Sequence, residues 1–129
     1  MEKLLAFTGA ISVVLFLTGC QSTPKKPSFT PSTAFDGNYR GIRIDVSNDQ
    51  ICKETSIVGS VNGGEAKFTL SYNGTLLKGW VTQDGELHLY DNNPRWDYHF
   101  TGKASGKAIE GNWHVGNAPC RGTWSVNRI

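Results

Sequence analysis

Three histidines and one aspartate are the residues of this chain that could form a metal site. His88, His99 and His114 fall on outward positions of neighbouring predicted strands, and Asp97 lies two residues before His99. Imidazole and carboxylate groups are good ligands for zinc or copper. The predicted pairing places Asp97 opposite His114 and His99 opposite Asn112. Such spacing is also common on solvated sheet faces, where these residues form polar cross-strand pairs. We therefore predict no bound metal and no cofactor, and keep the four residues as weak candidates.

A second group of residues could bind a ligand. Trp80 is predicted on the outer face of the sheet, opposite Lys67 in one hairpin and His88 in the next. An exposed indole beside a cation can stack on a sugar or on a partner protein. The alternative is that it covers the sheet or lies under the segment that precedes the domain. The longest polar loop of the repeat region supplies the other candidates: Asp91, Asn92, Asn93 and Arg95.

Motifs of common enzyme classes are missing from the sequence. No glycine-rich phosphate loop follows a predicted strand, and no serine stands in a nucleophile elbow. Residues 35–129 carry ten Lys/Arg and ten Asp/Glu, so we expect no basic surface and no nucleic-acid partner. The sequence therefore favours a domain that is not an enzyme.

The elements that must position these residues are marked by an internal repeat. Phe68-Thr69, Gly74, Leu77 and Gly79 recur 32 residues later as Phe100-Thr101, Gly106, Ile109 and Gly111. Each copy alternates apolar and polar residues around a glycine-containing turn, the pattern of two half-buried strands. The repeat therefore predicts two β-hairpins.

Two-residue turns at the Asn-Gly and Ser-Gly pairs would fix the register of both hairpins. This register places Phe68 opposite Gly79 and Phe100 opposite Gly111. An aromatic ring opposite a strand glycine indicates a curved sheet in which the ring covers bare backbone. Gly111→Val is then expected to crowd the Phe100 ring.

The whole domain is predicted to be all-β. Beside the two hairpins, strands are expected at about residues 39–46, 52–61, 86–90 and 120–127. The eight short antiparallel strands form a meander, and closing it into an up-and-down barrel removes its exposed edges. A two-sheet sandwich is the alternative. Eight strands enclose an interior that side chains can fill, and six rings are predicted to point inward: Phe68, Tyr72, Tyr98, Phe100, Trp113 and Trp124.

Local patterns predict further details of the barrel. In the first strand, Ile42, Ile44 and Val46 alternate with polar residues and are predicted to face the core. In the last strand the inward residues are expected to be Gly122, Trp124 and Val126. A three-residue loop with glycine last, at residues 83–85, places Leu87 opposite Val81 and Leu89 opposite Gly79.

The first 20 residues carry a targeting signal. An apolar run from residue 4 to 17 is too short for a comfortable membrane span and ends in Leu17-Thr18-Gly19-Cys20. This motif resembles the lipobox of bacterial lipoproteins. The resemblance implies a signal peptide at residues 1–19, cleavage before Cys20, and acyl chains on Cys20 that hold the protein to the membrane. Gln21 follows the anchor, which in a bacterium with two membranes implies sorting to the outer membrane.

Three parts of the chain follow from this signal. Residues 1–19 are the signal peptide, residues 20–34 a lipid anchor and flexible tether, and residues 35–129 the barrel-like domain. The tether is rich in Gln, Ser, Thr, Pro and Lys, and cannot bury enough apolar surface to order itself.

A disulfide is expected between the two remaining cysteines. With Cys20 carrying lipid, Cys52 and Cys120 are an even pair in an exported protein. Cys52 follows the first strand and Cys120 opens the last, and these strands are antiparallel neighbours in a closed barrel. Two free buried thiols in an open sandwich are the competing possibility.

The expected function is binding or structural support in the bacterial cell envelope, without enzymatic activity. The alternative is inhibition of a lytic enzyme or a protease, for which the loop at residues 91–95 is the candidate inhibitory element. A hollow barrel would favour transport of a small ligand, whereas a filled barrel with an aromatic patch would favour binding of a protein or a glycan.

Overall fold

A computed structural model describes residues 27–129 and shows a closed antiparallel barrel. Each strand pairs with the next, and the last pairs with the first, so the predicted up-and-down barrel is confirmed. Residues 27–129 contain no helix that is long and apolar enough to cross a membrane. The strands are β1 (Gly37–Asp45), β2 (Thr55–Asn62), β3 (Glu65–Leu70), β4 (Leu76–Trp80), β5 (Glu86–Asp91), β6 (Tyr98–Ser105), β7 (Ala108–Val115) and β8 (Arg121–Arg128).

The predicted signal peptide and residues 20–26 of the predicted tether, including Cys20, lie outside the described residues. The rest of the predicted tether lies against the barrel. The backbone N–H of Ser32 donates to the Val81 carbonyl at 2.9 Å, and the Gln83 side chain donates to the Thr30 carbonyl at 2.9 Å. Because Ser32 is also buried, the domain starts a few residues earlier than residue 35.

The predicted disulfide is present beside the seam that closes the barrel. Cys52 is bonded to Cys120 at an Sγ–Sγ distance of 2.01 Å. Strands β1 and β8 pair from Tyr39↔Arg128 to Asp45↔Gly122. The bond therefore joins the loop after β1 to the start of β8, as the order of the strands required.

Aromatic rings fill the interior. Five of the six rings predicted to point inward are buried: Phe68, Tyr98, Phe100, Trp113 and Trp124. Their rings pack in tilted, stacked and edge-on pairs, with the ring centroids of Phe100 and Trp124 5.7 Å apart. The prediction for Tyr72 is wrong, because this residue is 47% exposed and lies in a turn. Tyr39 is buried instead, against Phe68 at a centroid distance of 6.1 Å.

The register of the first hairpin differs from the prediction. Phe68 pairs with Leu77, and Gly79 pairs with Ala66. The turn is longer than two residues because the side chain of Asn73 accepts a hydrogen bond from the Thr75 N–H at 3.1 Å. This local bond holds Asn73 outside the positive-φ conformation that a two-residue Asn-Gly turn needs. Strand β3 therefore ends before Tyr72.

The second hairpin departs from the prediction in the opposite direction. Ser105 pairs with Ala108, so Gly106 and Lys107 form the turn, with Gly106 at φ +62°. Phe100 consequently pairs with Trp113, and Gly111 with Gly102. The two copies of the sequence repeat thus form hairpins with different registers.

Rings do cover strand glycines, but the predicted partners are wrong. A Cβ at Gly59 would lie 2.6 Å from Cδ1 of Phe68, and a Cβ at Gly102 would lie 2.7 Å from Cζ2 of Trp124. Phe68 therefore covers Gly59, which it faces across β2 and β3. The bare backbone lets each ring approach the barrel wall.

The inward face of β1 is the opposite of the predicted one. Ile42, Ile44 and Val46 are exposed, whereas Tyr39 and Arg43 are buried. The reason lies at the seam: Gly41 shares their face, and a Cβ there would strike the carbonyl of Ser125 in β8. In β8 the predicted inward residues, Gly122, Trp124 and Val126, are buried as expected, and Val81 forms the predicted bridge with Leu87.

Asp45 closes the turn that leaves β1 and makes stability depend on pH. Its carboxylate accepts hydrogen bonds from Ser47 Oγ at 2.6 Å and from Asn48 N–H at 3.1 Å. Desolvation raises the pKa of Asp45, but these bonds, with those from the Ser47 and Arg121 backbone, outweigh it and lower the pKa below its ordinary value of 3.8. The ionised form therefore stabilises the fold at neutral pH.

We expect Asp45→Ala to lower the free energy of unfolding by about 1 kcal/mol at pH 7, the size of a solvent-screened hydrogen bond to a charged group. Because the folded pKa is the lower one, this contribution persists above the unfolded pKa and is lost as pH falls through the folded pKa. Urea unfolding of both proteins between pH 7 and pH 2 measures it. A difference in stability that stays constant down to pH 2 would contradict the assignment.

Candidate functional site

The predicted metal candidates are only partly brought together. His99 pairs with His114 across β6 and β7, and their rings stack at 4.9 Å. Asp97 Oδ2 lies 3.0 Å from His99 Nε2. The predicted pairs of Asp97 with His114 and of His99 with Asn112 are wrong, since the turn of this hairpin lies one residue later. Within residues 27–129, no group of three His, Cys, Asp or Glu residues is arranged to hold a metal ion.

One candidate binding surface is a groove on the outside of β4 and β5, which we call the aromatic groove. It encloses about 690 Å³. Trp80 of β4 and His88 and Tyr90 of β5 line it. Phe29, from the segment that precedes the barrel, adds another aromatic side chain to the lining. Tyr90 is 59% exposed and Phe29 is 38% exposed, so much of this aromatic surface contacts solvent.

Charged side chains border the aromatic groove. Its lining includes Glu65, Glu86 and Asp91, against the single cation Lys78. The lining of the groove thus combines aromatic side chains with mainly acidic ones. Such a combination of flat apolar surface and a few polar groups is typical of ligand sites.

The backbone of β4 explains where the aromatic groove forms. Gly79 faces the interior, and a Cβ there would strike the carbonyl of His88. The glycine lets β5 approach β4 closely, which sets Trp80 and His88 side by side on the outer face. Trp80 faces Glu65 on its other side, so its predicted pairing with Lys67 is wrong.

The polar loop at residues 91–95 is held by its own side chains. The Asn92 side chain accepts from the Leu76 N–H at 3.1 Å. Asn93 accepts from the N–H groups of Arg95 and Trp96 at 2.8 and 2.9 Å, and its amide donates to a neighbouring threonine hydroxyl. Three of the four predicted ligand-binding residues here, Asp91 included, therefore make structural bonds. Arg95 is exposed, as is Asn92, and its guanidinium lies 5.2 Å from the Trp96 ring centroid.

A buried arginine at one end of the barrel was not predicted. Arg43 is 1% exposed, and its guanidinium carbon lies 4.2 Å from the Trp113 ring centroid. Its Nη2 donates to the carbonyl of Lys53. The sequence signal was the spacing of Arg43 from Tyr39 and Gly41, which places all three on one face of β1.

Comparison with protein-family models, with curated proteins and with solved structures finds no match to this chain. A function for it must therefore be argued from the geometry of its own surfaces.

Proposed function

We propose that this protein is a lipid-anchored lipoprotein of the bacterial envelope that binds an envelope glycan, without enzymatic activity. The observation that carries the proposal is the aromatic groove on the outside of a barrel whose interior is filled. Large side chains occupy the space in which a transport barrel would hold its ligand. Binding is therefore assigned to the outer surface.

The chemistry of the aromatic groove suits a carbohydrate. A sugar ring has apolar C–H faces, which pack on the flat surfaces of Trp80 and Tyr90. Its hydroxyl groups can donate to the carboxylates of Glu65 and Glu86 at the border. The lining can thus contact both the apolar faces and the hydroxyl groups of a sugar.

The position of the aromatic groove agrees with an anchored protein. Pro27 lines the groove and lies seven positions after the lipobox Cys20 in the sequence. A chain of this length reaches at most about 25 Å. If Cys20 holds the membrane, the groove stays within that distance of the lipid surface, where an envelope glycan can reach it.

Cys20→Ser is expected to release the protein into the soluble envelope fraction or to leave its signal peptide uncut, because serine cannot form the thioether with lipid. Fractionation of cells with and without detergent measures this. The wild-type protein should require detergent for extraction, since several acyl chains anchor firmly. Membrane association of the variant that still requires detergent would contradict lipidation at Cys20.

Trp80→Ala is expected to weaken glycan binding at least tenfold, because it removes the largest flat surface of the aromatic groove. Sedimentation of the full chain, in detergent, with purified peptidoglycan sacculi and with chitin measures binding to glycan with and without peptide. Ile42→Ala is the control, since Ile42 is exposed on β1, three strands from β4 around the barrel. Equal binding of both variants and the wild type would contradict the proposal.

The loop at residues 91–95 supports a second candidate function, inhibition of a lytic enzyme or a protease. Its dense internal hydrogen bonds give it the rigidity that an inhibitory loop needs, and Arg95 is its exposed charged residue. Assays of lysozyme and of trypsin with increasing amounts of the protein separate the two functions. Inhibition that Arg95→Ala removes and Trp80→Ala leaves intact would favour the inhibitor.

A further inference from the structure

Arg43 is a buried cation whose hydrogen-bonding capacity is largely unused. Its Nη2 donates to the Lys53 carbonyl, but Nε and Nη1 have no hydrogen-bond partner among residues 27–129. A guanidinium carries five N–H donors and stays charged at any physiological pH. Burying such a group without an acceptor is strongly unfavourable, so something outside the barrel wall should satisfy it.

Aromatic rings surround the guanidinium but do not complete its hydrogen bonding. Its carbon lies 4.2 Å from the Trp113 centroid, 5.1 Å from that of Tyr72 and 5.7 Å from that of Tyr98. These rings attract the positive charge through their faces. They also fix the direction of the guanidinium, which prepares it for a planar partner.

In the described part of the chain, no carboxylate pairs with Arg43. Two carboxylates of the surrounding elements are engaged elsewhere: Asp45, on the same strand as Arg43, accepts from Ser47, and Asp91 accepts from the Tyr98 N–H at 2.7 Å. The site therefore retains a net positive charge.

Neutral donors stand beside the cation. The hydroxyls of Tyr72 and Tyr98 are hydrogen-bonded at 2.5 Å, and the Asn73 amide donates to Tyr98 at 3.2 Å. Burial and the bond to Tyr98 raise the pKa of Tyr72, so its hydroxyl does not ionise to supply the missing negative charge.

A cavity of about 30 Å³ opens beside Arg43 at this end of the barrel. Its inner wall includes Arg43, Tyr98 and Val115, and its outer wall Ile51 and Trp96. Ile51 is 59% exposed, so the outer wall borders solvent. The cavity has room for a water-sized group. It can hold the head of a small anion while the remainder of the ligand stays outside.

We propose that this end of the barrel is a binding site for an organic carboxylate, with Arg43 as the anion-binding residue. The carboxylate accepts hydrogen bonds from the guanidinium, an interaction stronger than a neutral hydrogen bond. The apolar part of the ligand rests on Ile51, Tyr72 and Trp96. The site is separate from the aromatic groove and does not depend on the function proposed for that surface.

The test uses 3-phenylpropionate and its neutral amide as matched probes of the full chain in detergent, at constant ionic strength. Because Trp113 contacts the guanidinium, tryptophan fluorescence reports binding. We expect the acid to bind at least tenfold more tightly than the amide. The dipeptide Ala-Phe and its C-terminal amide form a second pair of probes. Tighter binding of the dipeptide acid than of phenylpropionate identifies peptide C-termini as the source of the carboxylate that Arg43 binds.

Variants assign the binding to Arg43. Arg43→Met should weaken binding of the acid at least tenfold and leave binding of the amide unchanged. If Arg43→Met does not fold, Ile51→Glu serves instead: Ile51 is exposed, and a second carboxylate at the mouth should repel the acid and weaken its binding at least threefold. Trp80→Ala should leave binding of the acid unchanged, because Trp80 lies in the aromatic groove. Equal binding of acid and amide, no binding of either, or acid binding that both site variants retain would overturn the proposal.

Discussion

Replacing Cys52 and Cys120 by serine is expected to lower the free energy of unfolding by about 4 kcal/mol. The two residues are 68 positions apart in sequence, and a cross-link across a loop of that length removes much of the entropy of the unfolded chain. The bond also lies at the seam between β1 and β8, where the barrel closes, and Cys120 borders the cavity beside Arg43. Urea unfolding of the wild type and the double variant measures the difference.

Reduction provides the matched control for the disulfide. Dithiothreitol should lower the stability of the wild type to that of the double variant and leave the variant unchanged. If the wild-type protein unfolds at the same urea concentration with and without the reductant, while thiol counting shows the bond to be reduced, the disulfide does not stabilise the barrel.

Gly111→Val is expected to destabilise the barrel by about 3 kcal/mol, at the upper end of the usual cost of overpacking. A Cβ at Gly111 would strike the carbonyl of Thr101 and lie 2.6 Å from Cα of Gly102. Both atoms belong to the backbone of β6, so neither can move without disturbing the ladder between β6 and β7. The Phe100 ring, predicted to be the crowded group, faces Trp113 instead.

A second-site variant separates the two explanations for Gly111. If the Phe100 ring were crowded, Phe100→Leu would recover part of the stability lost in Gly111→Val. A clash with the backbone predicts no recovery, and a double-mutant cycle measures the coupling. Gly63→Asn is the control for glycine substitution itself, because nothing lies within 4 Å of a Cβ there and asparagine tolerates its φ of +61°.

The barrel could be predicted because its evidence is local and repeated many times. Alternation of apolar and polar residues, together with frequent glycine turns, marks short antiparallel strands. The pairing of Val81 with Leu87 followed from the length of one loop. The closing pair of strands then followed from the need to remove open edges.

The hairpin registers and the inward face of β1 could not be predicted, because distant or side-chain contacts decide them. One hydrogen bond from Asn73 lengthens the first turn. The close approach of β8 at Gly41 decides which face of β1 points inward. Ile42 and Ile44 of β1, with Val46 directly after it, are exposed. Their alternation with polar residues imitates a core face, so it favours the wrong face of β1 over the face that carries Tyr39 and Arg43.

The same limits apply to the candidate sites. Trp80 was identifiable as an outward aromatic residue on its strand, and it lies in the aromatic groove. Phe29 was not identifiable, since its segment has the composition of a linker and lies against the barrel only in three dimensions. Arg43 was not identified, because charged residues are seldom buried without a partner.

The indole N–H signals of the four tryptophans test the central proposal most directly. In a nitrogen-15 NMR titration of the full chain in detergent with soluble peptidoglycan glycan strands, we expect the Trp80 indole signal to shift progressively with glycan concentration. The indoles of Trp113 and Trp124 should stay unchanged, because they donate inside the barrel to the carbonyls of Ile44 and Thr101. A Trp80 signal that does not move at saturating glycan, or one that moves no more than the Trp124 signal, would contradict glycan binding in the aromatic groove.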